Sequence, residues 1–287
     1  MIISFGYVSA TNHFYMRRRD YPNMDRIGNY RTKPFSRYRK NVILVASEGW
    51  RRRTIKFLVE ADVTDAREKI RRKKEEGKDI SFTAWIIKCL SQALQEHKDL
   101  NCYRQGRKKM VVFDDVDVGI PVEKVVDGEP IPMGYIIRRT NEKSVEEITD
   151  EIRNAQGRSG EKIQVLMEDL TLFERFVLKS PYFVKKLLMI LLRNRGLIKK
   201  KHLGTVGVTS MGMFSRFSGW AIPLGGMSTI LLSVSGVTKK PWVVNNEVKI
   251  REILHLVLSF DHDLVDGAVA SRFTGRFAEL LEEGFGL

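Results

Sequence analysis

The chain has 287 residues, with 49 Lys and Arg against 35 Asp and Glu, a formal net charge of +14. Hydrophobic residues make up 43% and charged residues 29%, which excludes wholesale disorder and leaves enough apolar material for a core without staples. Two cysteines, Cys89 and Cys102, exclude a disulfide scaffold, and Cys89 falls in an apolar helical pattern as a buried thiol.

The length suits one or two domains. Residues 1–10 lack the charged start of a signal peptide, and the longest apolar run, residues 187–192, is far short of the roughly 20 that span a bilayer. The expectation is a soluble, cytoplasmic protein. Its charge favours acidic partners, yet the basic runs at 17–19, 31–40, 51–53, 71–74 and 199–201 belong to no zinc finger, phosphate loop or aromatic RNA-binding motif. No nucleic-acid partner is expected, and solvated faces account for most of the excess.

Residues 1–30, aromatic and basic without periodicity, read as an N-terminal extension. Lys56 to Val63 alternates, with Phe57, Val59, Ala61 and Val63 on one face, and reads as a strand. Thr64 is expected to cap a charged helix ending at Gly77, and Ser81 to cap an amphipathic one carrying Trp85, Ile86, Cys89, Leu90, Ala93 and Leu94. Met110 to Val122 reads as two short strands around Asp114-Asp115, ending at Pro121. Ser144 begins a helix that stops near Gly157. Residues 166–198 are apolar and basic, broken at Ser180-Pro181. Strands follow at 205–209, 229–237 and 248–260, with Asn245-Asn246 as a turn, and a last helix runs from Ala268 to Glu283. Alternating helices and strands define a mixed α/β domain.

Of five histidines, His13, His97, His202 and His255 have no neighbours that suggest chemistry, and no spacing resembles a metal pair. His262 differs: a buried-looking strand delivers it at its end, with Asp266-Gly267 opening the next helix. A strand end is a rigid mount, and imidazole suits proton transfer near neutrality.

The stretch 262–267 matches the His-x-x-x-Asp-Gly signature of the CoA-dependent acyltransferases. That family includes chloramphenicol acetyltransferase and the catalytic domains of dihydrolipoyl acyltransferase components of 2-oxo-acid dehydrogenase complexes. Upstream, Gly204-Thr-Val-Gly-Val-Thr-Ser-Met-Gly-Met-Phe214 resembles those components' Gly-Thr-Phe-Thr-Ile-Ser-(Ser/Asn)-Leu-Gly-Met-Phe stretch. Ala221-Ile-Pro223, residues 230–236, Lys240-Pro241, residues 81–97, Leu100-Asn101-Cys102, residues 116–122 and Ser36-Arg37-Tyr-Arg39-Lys40 follow in the family's order. The resemblance covers roughly residues 33–157 and 203–287.

It implies a chloramphenicol-acetyltransferase-like mixed sheet flanked by helices over residues 31–287, as a single domain forming a homotrimer or a larger assembly of trimers. It implies catalysis by His262 as general base and Ser210 as oxyanion donor, with Asp266 held by an arginine of the opening segment, Arg39 ahead of Arg37. Gly267 would let the backbone pass close to the histidine. Coenzyme A is implied as the acyl carrier, and dihydrolipoamide as the thiol acceptor.

Three departures stand out. Asp261-His262-Asp263 replaces the usual Asp-His-Arg, adding a carboxylate that would favour the protonated imidazole. No lipoyl domain or Pro/Ala-rich linker is present, so the lipoyl group is expected from a separate, acidic protein, or the acceptor is a small hydroxyl or amine compound. A non-catalytic trimeric scaffold is the remaining reading. Finally, residues 158–203 form a basic helical insertion, longer than the family's connection. It would pack as extra helices, cover a pocket that sets acyl or acceptor choice, or dock peripherally on an anionic membrane.

Overall fold

The computed structural model of the chain describes residues 28–35, 37–126, 129–157, 180–212 and 217–287. Residues 1–27, Ser36, residues 127–128, residues 158–179 of the insertion and residues 213–216 lie outside them. The chain divides into two compact units, Met1–Lys40 and Asn41–Leu287.

The elements run α1 (Arg37–Trp50), β1 (Thr54–Asp62), α2 (Thr64–Glu75), α3 (Phe82–Glu96), β2 (Cys102–Gln105), β3 (Lys109–Val112), β4 (Val118–Val126) and β5 (Glu129–Ile137). There follow α4 (Val145–Gly157), α5 (Tyr182–Leu192), α6 (Gly196–Leu203), β6 (Val206–Ser210), β7 (Ile230–Val244), β8 (Glu247–Asp261) and α7 (Gly267–Glu282). Six strands form one mixed sheet in the order β1-β8-β7-β6-β4-β5, and β2 and β3 form a separate ribbon. Parallel pairing is confined to β4–β6 and β6–β7.

Sequence chemistry explains most of these boundaries. Ser81 accepts the backbone N–H of Ala84 at the start of α3. Ser144 and Glu147 exchange reciprocal hydrogen bonds at the start of α4, a capping box that satisfies two orphan donors. Asn245 and Asn246 both take positive φ, 52° and 65°, as a two-residue hairpin between β7 and β8 requires. α7 stops at Gly284, whose φ is +68°.

Thr64 does not cap α2 as expected. It is the first helical residue, and its hydroxyl donates to Asp62 and accepts the N–H of Glu252, tying α2 to the sheet. Pro121 does not end a strand either. β4 runs on to Val126, because by Pro121 only β5 pairs with it and the missing N–H faces an open side.

One face of the sheet carries the core. Phe57, Val59 and Ala61 of β1 and Leu254, Leu256, Leu258 and Phe260 of β8 meet Trp85, Leu90 and Leu94 of α3 and Phe273 and Phe277 of α7. The other face is more polar, with Ser233, Ser235, His255 and Ser259 buried, and Trp220 lies on it with its indole N–H donating to Val59.

Candidate functional site

β8 ends at Asp261, and the chain turns at once. The amides of Leu264 and Val265 both donate to the Asp261 carbonyl, and the amide of His262 donates to the carbonyl of Arg53 at 2.8 Å. His262 is therefore pinned by the backbone at the rim of the sheet, with its ring exposed. Imidazole Nδ1 lies 3.0 Å from the carbonyl oxygen of Val265. A carbonyl only accepts, so Nδ1 carries the hydrogen and Nε2 presents its lone pair outward, as a general base must.

Two arginines from the link between α1 and β1 clamp this turn. Arg52 meets Asp261 at 3.0 Å, with both side chains about nine-tenths buried, and also donates to the carbonyl of Ser228. Arg53 grips Asp263 bidentately at 2.8 and 2.9 Å, which holds the Asp263 carboxyl below the usual carboxylate range. The extra acid of the Asp-His-Asp sequence is thus engaged by a neighbouring cation.

Asp266 occupies the N-cap position of α7 without a side-chain cap, and among the described residues its exposed carboxylate makes no ion pair. Arg39 lies in the first turn of α1, within the N-terminal unit. A Cβ on Gly267 would meet nothing within 4 Å, so in the single chain that glycine behaves as a plain helix start.

Ser210 is the last residue of β6 and is partly exposed. The next two amides, of Met211 and Gly212, both turn back to the carbonyl of Val234. A Cβ on Gly212 would stand 2.0 Å from the carbonyl oxygen of Ser235, so only glycine lets this turn lie against β7. Ser210 pairs with Val234, which pairs with Leu256, six residues short of His262. At strand spacing that puts Ser210 and His262 of one chain roughly 20 Å apart, at opposite ends of the sheet.

Two features escaped the sequence reading. His255 is fully buried, with Nδ1 3.0 Å from the carbonyl of Gly236, Nε2 3.2 Å from Glu60 and the edge of Trp220 against its ring. Its partners come from β1, β7 and the loop before β7, so no local signal could reveal it. Lys199 of α6 is 8% exposed, and burial together with the nearby Arg52 pushes its ammonium down to about 8. Both cysteines are buried, and burial raises both thiols, Cys102 to about 11, which makes them poor nucleophiles.

A six-stranded mixed sheet with a pinned histidine at one end and a serine turn at the other fits an acyl-transfer fold. The model of the 2-oxoacid dehydrogenases acyltransferase (catalytic domain) matches residues 28–171 and 193–285, and the chain belongs to that family. It is 27% identical over 211 residues to the lipoamide acyltransferase component of the branched-chain alpha-keto acid dehydrogenase complex of Bacillus subtilis (strain 168), covering 73% of this chain and 41% of that protein. Identity is 25% over 210 residues to the dihydrolipoyllysine-residue succinyltransferase component of the 2-oxoglutarate dehydrogenase complex of Buchnera aphidicola, again 73% and 41%. The chain thus spans less than half the length of these curated relatives.

Among solved structures, a probable dihydrolipoamide acetyltransferase from Listeria monocytogenes superposes with a TM-score of 0.64 at 22% identity, covering 90% of this chain and 96% of that one. The dihydrolipoamide acetyltransferase of Azotobacter vinelandii gives 0.67 at 17%, covering 91% and 95%. In that enzyme the catalytic mechanism has been studied at a serine, a histidine 52 residues further on and an asparagine four beyond it.

Proposed function

We propose that this chain transfers an acyl group between coenzyme A and a thiol acceptor of the dihydrolipoyl type. The observation that carries this is the Nδ1 contact of His262 with the Val265 carbonyl, which leaves Nε2 as the free base. Nε2 takes the thiol proton, the sulfur attacks the thioester carbonyl, and the protonated imidazole returns that proton to the leaving sulfur. A free thiol is mostly protonated at neutral pH, so the proton transfer is what makes the nucleophile.

Ser210 donates to the oxyanion that develops on the carbonyl. Because it lies about 20 Å from His262 in its own chain, the donor is Ser210 of a neighbouring copy, in a homotrimer. Ser210, His262 and Asp266 stand 52 and four residues apart, the spacing of the serine, histidine and asparagine of the Azotobacter enzyme, which supports these roles. Asp266 is a positioning residue for the turn.

The test is release of free CoA from acetyl-CoA, separated chromatographically, with dihydrolipoamide as acceptor. Wild type should turn over and His262→Ala should not, with the oligomer unchanged. Equal rates in the two proteins would sink the mechanism, and turnover only with hydroxyl or amine acceptors would overturn the acceptor.

A further inference from the structure

Beside the His262 turn a cavity of about 1050 Å3 opens between α1, α5 and α6. Small-molecule sites run to about 1,000 Å3, so this volume far exceeds the needs of an acetyl group. Two polar links lace α5 to α1: Lys185 to Asn41 at 3.0 Å and Arg193 to Glu48, bidentate, at 2.9 and 2.5 Å. Along the helices the links are about 11 Å apart. Between them the walls are apolar, with Leu44 and Val45 from α1 facing Leu188, Met189 and Leu192 from α5.

The rest of the lining is different. Asp261, Asp263 and Leu264, which flank His262, belong to it, and so does Lys199. The Lys199 ammonium rests over the Tyr103 ring at 5.4 Å and, among the described residues, makes no hydrogen bond or close ion pair, the Asp261 and Glu48 carboxylates acting on it from further off. A nine-tenths buried cation without a direct partner favours an anionic or carbonyl oxygen beside it. The family model skips residues 172–192, which include all of α5.

We infer that the chamber holds a straight-chain acyl group longer than acetyl or succinyl. The apolar chain lies between α5 and α1, and the oxygen-bearing end meets Lys199 beside the His262 turn. This deepens the acyl-transfer reading and rests on it, since the acyl group is that of the donor.

The test begins with binding of free butyrate, hexanoate, octanoate and decanoate to the full chain by calorimetry, which needs no turnover. Affinity should rise about three- to fourfold per added methylene, the effect of burying each one. Decanol, with the same chain and no carboxylate, should bind at least tenfold more weakly than decanoate. Leu188→Trp should fill the chamber and abolish the chain-length dependence. Lys199→Met should weaken every acid about equally and keep the slope. The slope on wild type requires no variant, so a misfolded variant does not spare the proposal. A flat series, or no binding to wild type, overturns the chamber.

In a second arm, kcat/KM for acyl-CoA thioesters should climb with chain length in parallel. Binding with the expected slope but flat kcat/KM would overturn the donor role. A flat binding series together with turnover of acetyl-CoA would remove the chamber and leave the transfer reading standing, so the two failures are distinguishable.

Discussion

Arg52 and Asp261 face each other across 3.0 Å at the rim of the sheet, one residue before the proposed base. The pair joins the start of β1 to the end of β8, and both side chains are largely buried. Removing one partner of such a pair strands the other charge, at a cost of about 3 kcal/mol or more. Arg52→Met should therefore lower the free energy of unfolding by about that amount in urea titrations. A loss within experimental error would mean that the backbone hydrogen bonds and the Arg53–Asp263 pair suffice to hold the His262 turn.

The placement of Ser210 and His262 at opposite ends gives a sharper test. Ser210→Ala should lower kcat by about 10²- to 10³-fold, the usual effect of losing one oxyanion donor. His262→Ala should be inactive. When the two variants are unfolded together and refolded, mixed assemblies pair an intact histidine with an intact serine, and activity should return in part. Absence of any recovery, with mixed oligomers demonstrated, would mean that the two groups do not meet across a subunit boundary.

Lys199 makes stability depend on alkaline pH. Its ammonium titrates near 10.5 in the unfolded chain and at about 8 in the folded one, where burial penalises the charge. The unfolded chain thus binds more protons between those values, and stability should rise with pH across that window. Below pH 8 the full penalty applies, so Lys199→Met should be the more stable protein at pH 7, by on the order of 3 kcal/mol. The advantage should shrink from pH 8 upward and vanish above about 10.5, read as the difference in Tm between the two proteins. A constant difference over that range would contradict the buried, depressed lysine.

Gly212→Ala tests the serine turn. The added Cβ would lie 2.0 Å from the Ser235 carbonyl oxygen, a backbone atom that cannot rotate away. The variant should lose acyl transfer at least as severely as Ser210→Ala while the far helices keep their circular dichroism. Full activity would require the turn to be free of β7.

The amphipathic helices α3 and α7, the alternating strand β1 and the Asn-Asn hairpin were legible because each announces itself locally, by period, cap or positive φ. α1 was not, since Val42, Ile43 and Val45 stand exposed around a single buried Leu44 and draw no clean apolar face. β5 was hidden by Pro130 and Pro132, which only an edge strand accommodates. The motif singled out His262 and Ser210 as candidates, and the fold added what no motif carries. The arginines that hold the histidine turn are Arg52 and Arg53, meeting Asp261 and Asp263 from the far end of the chain. The chamber under α5 likewise depends on two links, Lys185 to Asn41 and Arg193 to Glu48, that no spacing foretells.

The strand register that separates Ser210 from His262 also bears on when activity begins. On the proposed mechanism, a chain folded alone would hold a base without its oxyanion donor and a donor without its base, and would be silent toward activated thioesters. Turnover per chain would then depend on total concentration, falling away on dilution below the dissociation constant of the oligomer. Freshly synthesised chains would spare acyl thioesters until they meet, with the sheet itself as the timer.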